Sequence, residues 1–480
     1  MLINCALADV TPYVPSMGMP WNRQRVIHLY RRMTFGADAA TIVAALDQNP
    51  IDLVDSLVTE AINLPLTPEP EFAFKDQTQY GLALLESVLE KDGYTREWII
   101  DLQGNGLRGR MAFFWHNHFV TKFDIYESSN YTWQYHKLLQ QYALGNFKDF
   151  VYEMGLTPAM LVFLNGSENF AGSPNENYAR ELFELFTLGV DNGYTQDDIV
   201  ETARALTGYT DIPVPWGPIN FDPATHDPGV KTIFGRTGNW GYDDVIDILF
   251  EERAEQISTF IAGKLYVRFV NPTVDDVVID HLAQVFRQSD WSIEALVREI
   301  FRMTHFFDEF NISTIIEGPL ENTLILYNEL GNTINGLSVF GIWSGGTEAG
   351  QEIFNPVDVA GWPGNRSWIN TTTITTRWSD SESLLGVNLL FGFGELGDLA
   401  RATTNEEEDV EIICQDFIDY FLPKGLQFQS DFDAALVTFK GDVPPDYFTN
   451  GNWTINFWAL PFQVHALLRF LTQLPEFQLK

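Results

Sequence analysis

From residue 23 onward, apolar residues return at spacings of three and four, the period that turns one face of a helix toward a core. The segments 23–33, 37–46, 51–64, 95–120, 133–142, 174–188, 195–206, 254–270, 273–288 and 293–303 all carry it. The pattern returns at 382–390, 408–420 and 461–474, and runs that alternate apolar and polar residues are scarce. This predicts a mainly α, large multi-helix globular fold with long ordered loops. It leaves room for a few short strands in the C-terminal third, for example in TTTITT at 371–376. The expected parts are an N-terminal arm (1–20), a helical core (21–310) and a helical, loop-rich C-terminal region (311–480) packed on that core, the last two equally compatible with one continuous domain.

Two stretches interrupt the helical period: 208–242, rich in Gly and Pro, and 331–380, rich in Gly, Thr, Trp and Asn. Loops of that length inside a compact domain are uncommon and often functional. The chain has 480 residues, 45% hydrophobic and 14% aromatic, enough to bury a sizeable core. A prior of about 150 residues per domain allows roughly three domains or one large one with insertions.

Charge narrows the partners. Asp and Glu number 65 against 29 Lys and Arg, a net charge of -36, which repels phosphate backbones and anionic headgroups. No nucleic acid is expected as a partner; the acidity fits neutral or cationic ligands, a divalent metal, or solubility alone. The acidic EEED at 406–409 reads as an exposed helix start. The run 384–393 falls well short of the ~18 apolar residues of a membrane span, so no span is expected. The opening MLINCALADVTPYVPS lacks the basic and apolar regions of a secretory signal. Cys5 and Cys414 stand far apart without basic neighbours and read as inert thiols, so a metal would be held by His and carboxylates.

Candidate chemistry concentrates between Arg108 and Tyr209. FWHNHF (114–119) holds His116 and His118, which on a helix project about 200° apart, so one is expected to face a site and the other to pack elsewhere. In PNENYARELFELFTLG (174–189), Ser173, Pro174 and Glu176 read as an N-terminal capping box and Gly189 as the stop. Glu181 falls at the edge of the apolar arc, where a carboxylate needs Arg180, Arg204 or a metal as partner. Thr195 and Asp198 read as a second capping box. The long loop adds His226 and Asp227 in HDPG, and Glu184 lies on the polar stripe beside Glu181. No GxSxG, phosphate loop, GxGxxG or HExxH is present.

HLYRRMTFGA (28–37), FWHNHF, PAMLVFL (158–164), NENYARELFELFTLG, YTQDD with ARALTGY, and HDPGVKTIFG, followed by EGPLE (317–321) and FNPVDVAGWPG (354–364), resemble the bacterial family called domain of unknown function 1800. The resemblance implies a large, mostly helical bacterial protein. Relatives are often exported and encoded beside a family related to sulfatases and phosphatases, which implies a periplasmic or extracellular role and a partner of that kind.

Two readings follow. The first is a metal-dependent hydrolase or oxidoreductase acting on a small molecule or polymer. His116, His118, Glu181 and His226 would hold one divalent ion (Zn, Fe, Mn or Cu), Glu184 or Asp227 would act as base, and Arg180 would stabilise an anion. The second is a non-catalytic envelope or extracellular binding protein, in which the same residues form a buried structural network. There Trp343, Trp362, Trp368, Trp378, Trp453 and Trp458 would offer stacking surfaces.

Overall fold

A computed structural model of the chain describes residues 8–405 and 407–480. Cys5 and Glu406 lie outside the described residues. Helices carry nearly all of the regular structure. Among the described residues the one sheet is a hairpin, Lys231–Ile233 paired antiparallel with Arg236–Gly238. Phe234 and Gly235, both at positive φ, make the tight turn between its strands. The hairpin sits in the first long loop rather than in the C-terminal third. TTTITT instead opens the helix Thr371–Phe391: the Asn370 side chain accepts the amides of Thr372 and Thr373, and the hydroxyls of Thr375 and Thr376 bond carbonyls four residues back. A good N-cap and hydroxyl back-bonding override the β preference of branched residues.

Most periodic segments are helices within a residue or two of the expected ends, as in Arg23–Met33, Ala254–Phe269 and Ile293–Arg302. The segment 95–120 departs from expectation, because it spans the end of Ala83–Gly104 and all of Gly106–His118. Gly106 at φ +48 turns the chain there, while the apolar stripe runs on through Leu102, Leu107 and Met111 because both helices face one core. The 174–188 segment also begins late. Its helix is Asn177–Glu181, continued by a π-helical turn, Leu182–Thr187. Ser173 is bridged to Phe170 and Asn175 holds the Asn177 amide, so no capping box forms at Ser173, whereas the Thr195–Asp198 box is present.

One contiguous cluster of buried apolar side chains includes residues from Tyr13 to Phe477. An ionic network crosses it. At EGPLE, Gly318 and Pro319 start the helix Pro319–Glu329, which sets Glu317 and Glu321 side by side with no access to bulk water. Glu317 accepts from Arg110 and from Arg268 (2.8 Å), and its backbone carbonyl accepts from Arg377. Glu321 accepts from Arg110 (3.1 Å) and Arg268. At the other end of that helix, Glu329 accepts from Arg31 (2.9 Å), which also donates to the carbonyl of Phe421 (3.0 Å). Burial pushes the Glu317 carboxyl up, but the surrounding Arg110, Arg268 and Arg32 guanidinium groups outweigh it and hold the carboxyl down at about 2.

Removing one partner from a buried, hydrogen-bonded ion cluster typically costs about 3–5 kcal/mol, because the remaining charges stay buried without compensation. Glu317→Gln is therefore expected to destabilise the fold by about that amount, measured by denaturant unfolding at pH 7. A change under about 1 kcal/mol would mean that the cluster is as weak as an exposed ion pair.

Candidate functional site

The three polar residues of FWHNHF end the helix Gly106–His118; His116 and Asn117 both hold the 354–364 loop, and His118 turns to another element. His116 is fully buried: its Nε2 accepts the Phe354 amide (3.0 Å), so its Nδ1–H donates to the Tyr135 hydroxyl (2.8 Å), which donates onward to the Phe119 carbonyl. Burial alone holds this imidazole down at about 3. Asn117 meets the backbone of Trp362 with both ends of its amide. Its Oδ1 accepts the Trp362 N–H (2.6 Å) and its Nδ2 donates to the Trp362 carbonyl (3.3 Å). Gly361, at φ +83, allows this approach, since a Cβ there would fall 2.3 Å from Asn117 Oδ1. His116 and Asn117 thus clamp the two ends of FNPVDVAGWPG onto the helix.

His118 faces the other way. Its Nε2–H donates to the carbonyl of Phe186 (3.0 Å), in the π-helical turn, and its Nδ1 accepts from Lys264 Nζ (3.0 Å). Lys264 also donates to the carbonyl of Leu185 (3.4 Å) in the same turn. Both carbonyls belong to the last turn before Gly189 (φ +94), where carbonyls lack intrahelical partners and the helix dipole is negative, a setting that favours a cation. Burial presses the Lys264 amine down to about 8. The His118 imidazole is held well below its ordinary value by burial first and by the Lys264 charge second.

Lys264 and His118 line a cleft of about 610 Å³ between the Gly106–His118 helix, the Ala254–Phe269 helix and the clamped loop. Its walls are apolar and aromatic, with Phe114, Phe260, Trp362 and Trp368 among them. Arg268 lies one turn beyond Lys264 on the same helix face and is anchored from behind by Glu317 and Glu321. Trp362 adds an indole N–H that is buried without an acceptor. The one carboxylate among the lining residues is Asp276, on the exposed rim. The cleft of this acidic protein is therefore floored by cations and hydrogen-bond donors.

The residues expected to form a metal centre are not brought together. Both ring nitrogens of His116 and of His118 are engaged within the protein. His226 donates from Nδ1 to the Thr207 carbonyl (2.9 Å) in the first long loop. Glu181 is half-buried, with its carboxyl raised by burial and then by Glu184. Among the described residues no group of three His, Cys, Asp or Glu side chains is placed to hold a metal ion, so the proposed ligand set does not fit one. Asp227 accepts from Arg204 (2.8 Å) and caps the Gly229 amide; the hydrogen bond from Arg204 holds its carboxyl below the usual range. Arg180 folds along its own helix onto Glu176 (3.0 Å) and Glu184 (3.3 Å). Of the tryptophans, Trp362, Trp368 and Trp453 are buried, Trp343 is half-buried, and only Trp378 and Trp458 are exposed.

Lys264, Arg268 and Asn117 are absent from the candidates drawn from the sequence. A readable signal existed for the first two. Phe260, Gly263, Lys264, Val267 and Arg268 follow one another at helical spacing, which places two cations on a face that also carries apolar residues.

His28, His116, His118 and His136 are all buried, with burial as the largest cause holding each imidazole below its ordinary value. The unfolded chain binds protons at these sites from about pH 6.5 downward and the folded chain does not, so stability falls as pH drops below about 6.5. Each histidine contributes a slope of up to about 1.4 kcal/mol per pH unit. Denaturant midpoints taken at pH 7.5, 6 and 5 are expected to fall steeply between the last two. Equal midpoints at all three would show that these imidazoles titrate normally. The clamp has its own test: Gly361→Ala forces Asn117 off the Trp362 backbone, and limited proteolysis is expected to cut within 354–364 in the variant while sparing the parent.

No curated protein and no solved structure gave a match. Among the described residues no helix is long and apolar enough to cross a membrane. The model of one family, described as Protein of unknown function (DUF1800), matches residues 28–479, a span that takes in FWHNHF, Lys264, EGPLE and the clamped loop. By that match over nearly its whole length, the chain belongs to the family Protein of unknown function (DUF1800).

Proposed function

We propose that the protein binds a small organic anion with an apolar body in the cleft beside Lys264. The observation that carries this reading is the company Lys264 keeps: a half-buried amine and the Arg268 guanidinium share a cleft walled by Trp362, Trp368 and Phe114, with the only lining carboxylate on the rim. An apolar cleft with a few convergent polar groups is the usual form of a small-molecule site. Lys264, Arg268 (whose charge is shared with Glu317 and Glu321) and the unpartnered Trp362 N–H together favour a carboxylate, sulfonate or phosphate. The aromatic walls select a hydrocarbon or ring attached to it. The protein's net charge of -36 holds polyanions off, so a compact anion is favoured.

The probe for this reading is 1-anilinonaphthalene-8-sulfonate, an aromatic sulfonate that brightens when it leaves water. Charge-assisted hydrogen bonds are worth about 1.5–3 kcal/mol, so Lys264→Met is expected to weaken binding about 10- to 100-fold. Binding to the parent protein is expected to decline as pH rises through about 8, where the amine loses its charge. Equal affinity in parent, Lys264→Met and Trp362→Ala proteins would place the dye elsewhere and remove the proposal.

A further inference from the structure

The surroundings of Lys264 point past simple charge recognition. A neutral lysine amine has two N–H bonds and one lone pair arranged about a tetrahedral nitrogen. Two acceptors stand at fixed positions around this nitrogen, His118 Nδ1 at 3.0 Å and the Leu185 carbonyl at 3.4 Å. The His118 tautomer is not free to change that arrangement, because its Nε2–H is committed to the Phe186 carbonyl. When both N–H bonds of the neutral amine are directed at those acceptors, the lone pair takes the remaining direction. Away from those acceptors Lys264 lines the cleft, with the Phe260 ring centroid 5.0 Å from its nitrogen.

We infer that Lys264 is a nucleophilic amine that forms an imine with a carbonyl-bearing organic anion, an aldehyde or ketone whose acid group is docked by Arg268. The inference rests on the cleft being the ligand site proposed above. In the step, the amine lone pair attacks the carbonyl carbon and the C=O π pair moves onto oxygen, forming a carbinolamine. One N–H proton leaves along the hydrogen bond to His118 Nδ1 and returns to that oxygen. The hydroxyl then departs, taking the second nitrogen proton, and the products are the imine and one water. No oxidant or reductant enters the step. His118, whose imidazole resists protonation in this apolar setting, holds the proton only in transit. The same burial keeps part of the Lys264 population neutral near pH 7.5, whereas an ordinary lysine is almost wholly charged there.

The experiment uses the full chain and two probes. 4-Carboxybenzaldehyde with sodium cyanoborohydride traps any imine as a stable secondary amine, located by peptide mass spectrometry. 4-Methylbenzoate, which has the acid and ring but no carbonyl, reports docking through displacement of the dye. The expected result is an adduct at Lys264 formed on the order of 100-fold faster at pH 7.5 than at surface lysines. At saturating aldehyde, where the weaker docking above pH 8 no longer limits occupancy, its rate should rise to a plateau above about pH 8, and 4-methylbenzoate should suppress it. Lys264→Met should lose this adduct and leave the slow surface labelling unchanged. His118→Gln, if folded by circular dichroism, should dock 4-methylbenzoate yet trap the aldehyde more slowly. If 4-methylbenzoate docks in a Lys264-dependent way but the adduct is spread over all lysines, the imine inference falls and the anion site stands. If 4-methylbenzoate neither docks nor suppresses labelling, both fall together.

Discussion

Glu317 sits at the N-terminus of a helix with no path to water, and the chain has arranged four other parts of itself to make that tolerable. Arg110, Arg268, Arg32 and Arg377 come from four helices widely spaced along the sequence, and all face this one residue through its carboxylate or its carbonyl. An isolated buried carboxylate would give up its charge; one ringed by guanidinium groups keeps it. The arrangement also fixes relative position, because each guanidinium must meet its acceptor in a definite plane. Arg268 is one of these supports and also the far wall of the cleft. The electrostatic centre of the fold and the candidate site therefore share a residue.

From that anchored frame, desolvation works in two opposite senses. At His116 it produces an inert group, a neutral imidazole with a donor and an acceptor satisfied, which acts as a peg between the Phe354 amide and the Tyr135 hydroxyl. At Lys264 it produces a responsive group, because the amine is desolvated by burial yet belongs to the lining of a cleft. What separates the two is access. His118 stands between them, with one nitrogen fixed to the backbone and the other turned to the lysine.

The helices were readable because apolar residues keep a strict period wherever a helix lies on a core. The turn at Gly106 was hidden for the same reason, since Leu102, Leu107 and Met111 continue one stripe across it. FWHNHF stood out correctly as a place where polar groups enter the interior. Its histidines were not identifiable as pegs, because a buried imidazole with both nitrogens satisfied within the protein is spelled the same way as a metal ligand. Lys264 escaped notice because a lysine on a helix ordinarily reaches water, and only the neighbouring Phe260 and Arg268 hinted otherwise. Arg110 and Glu317 are 207 residues apart, and one sequence carries no period or motif that would pair them. The carboxylates of NENYAREL and HDPG were visible as charge, yet their partners, Arg180 and Arg204, lie on nearby surfaces and spend them on local ion pairs.

Asn117 holds the clamped loop entirely through the main chain of Trp362, in the way one strand holds another. The side chain at position 362 takes no part in those two bonds; it is buried, stacks on Phe113 and lines the cleft. Anchorage and selectivity are thus written in different atoms of one residue. An exchange at position 362 would reshape the cleft without removing the two main-chain bonds that fasten the loop.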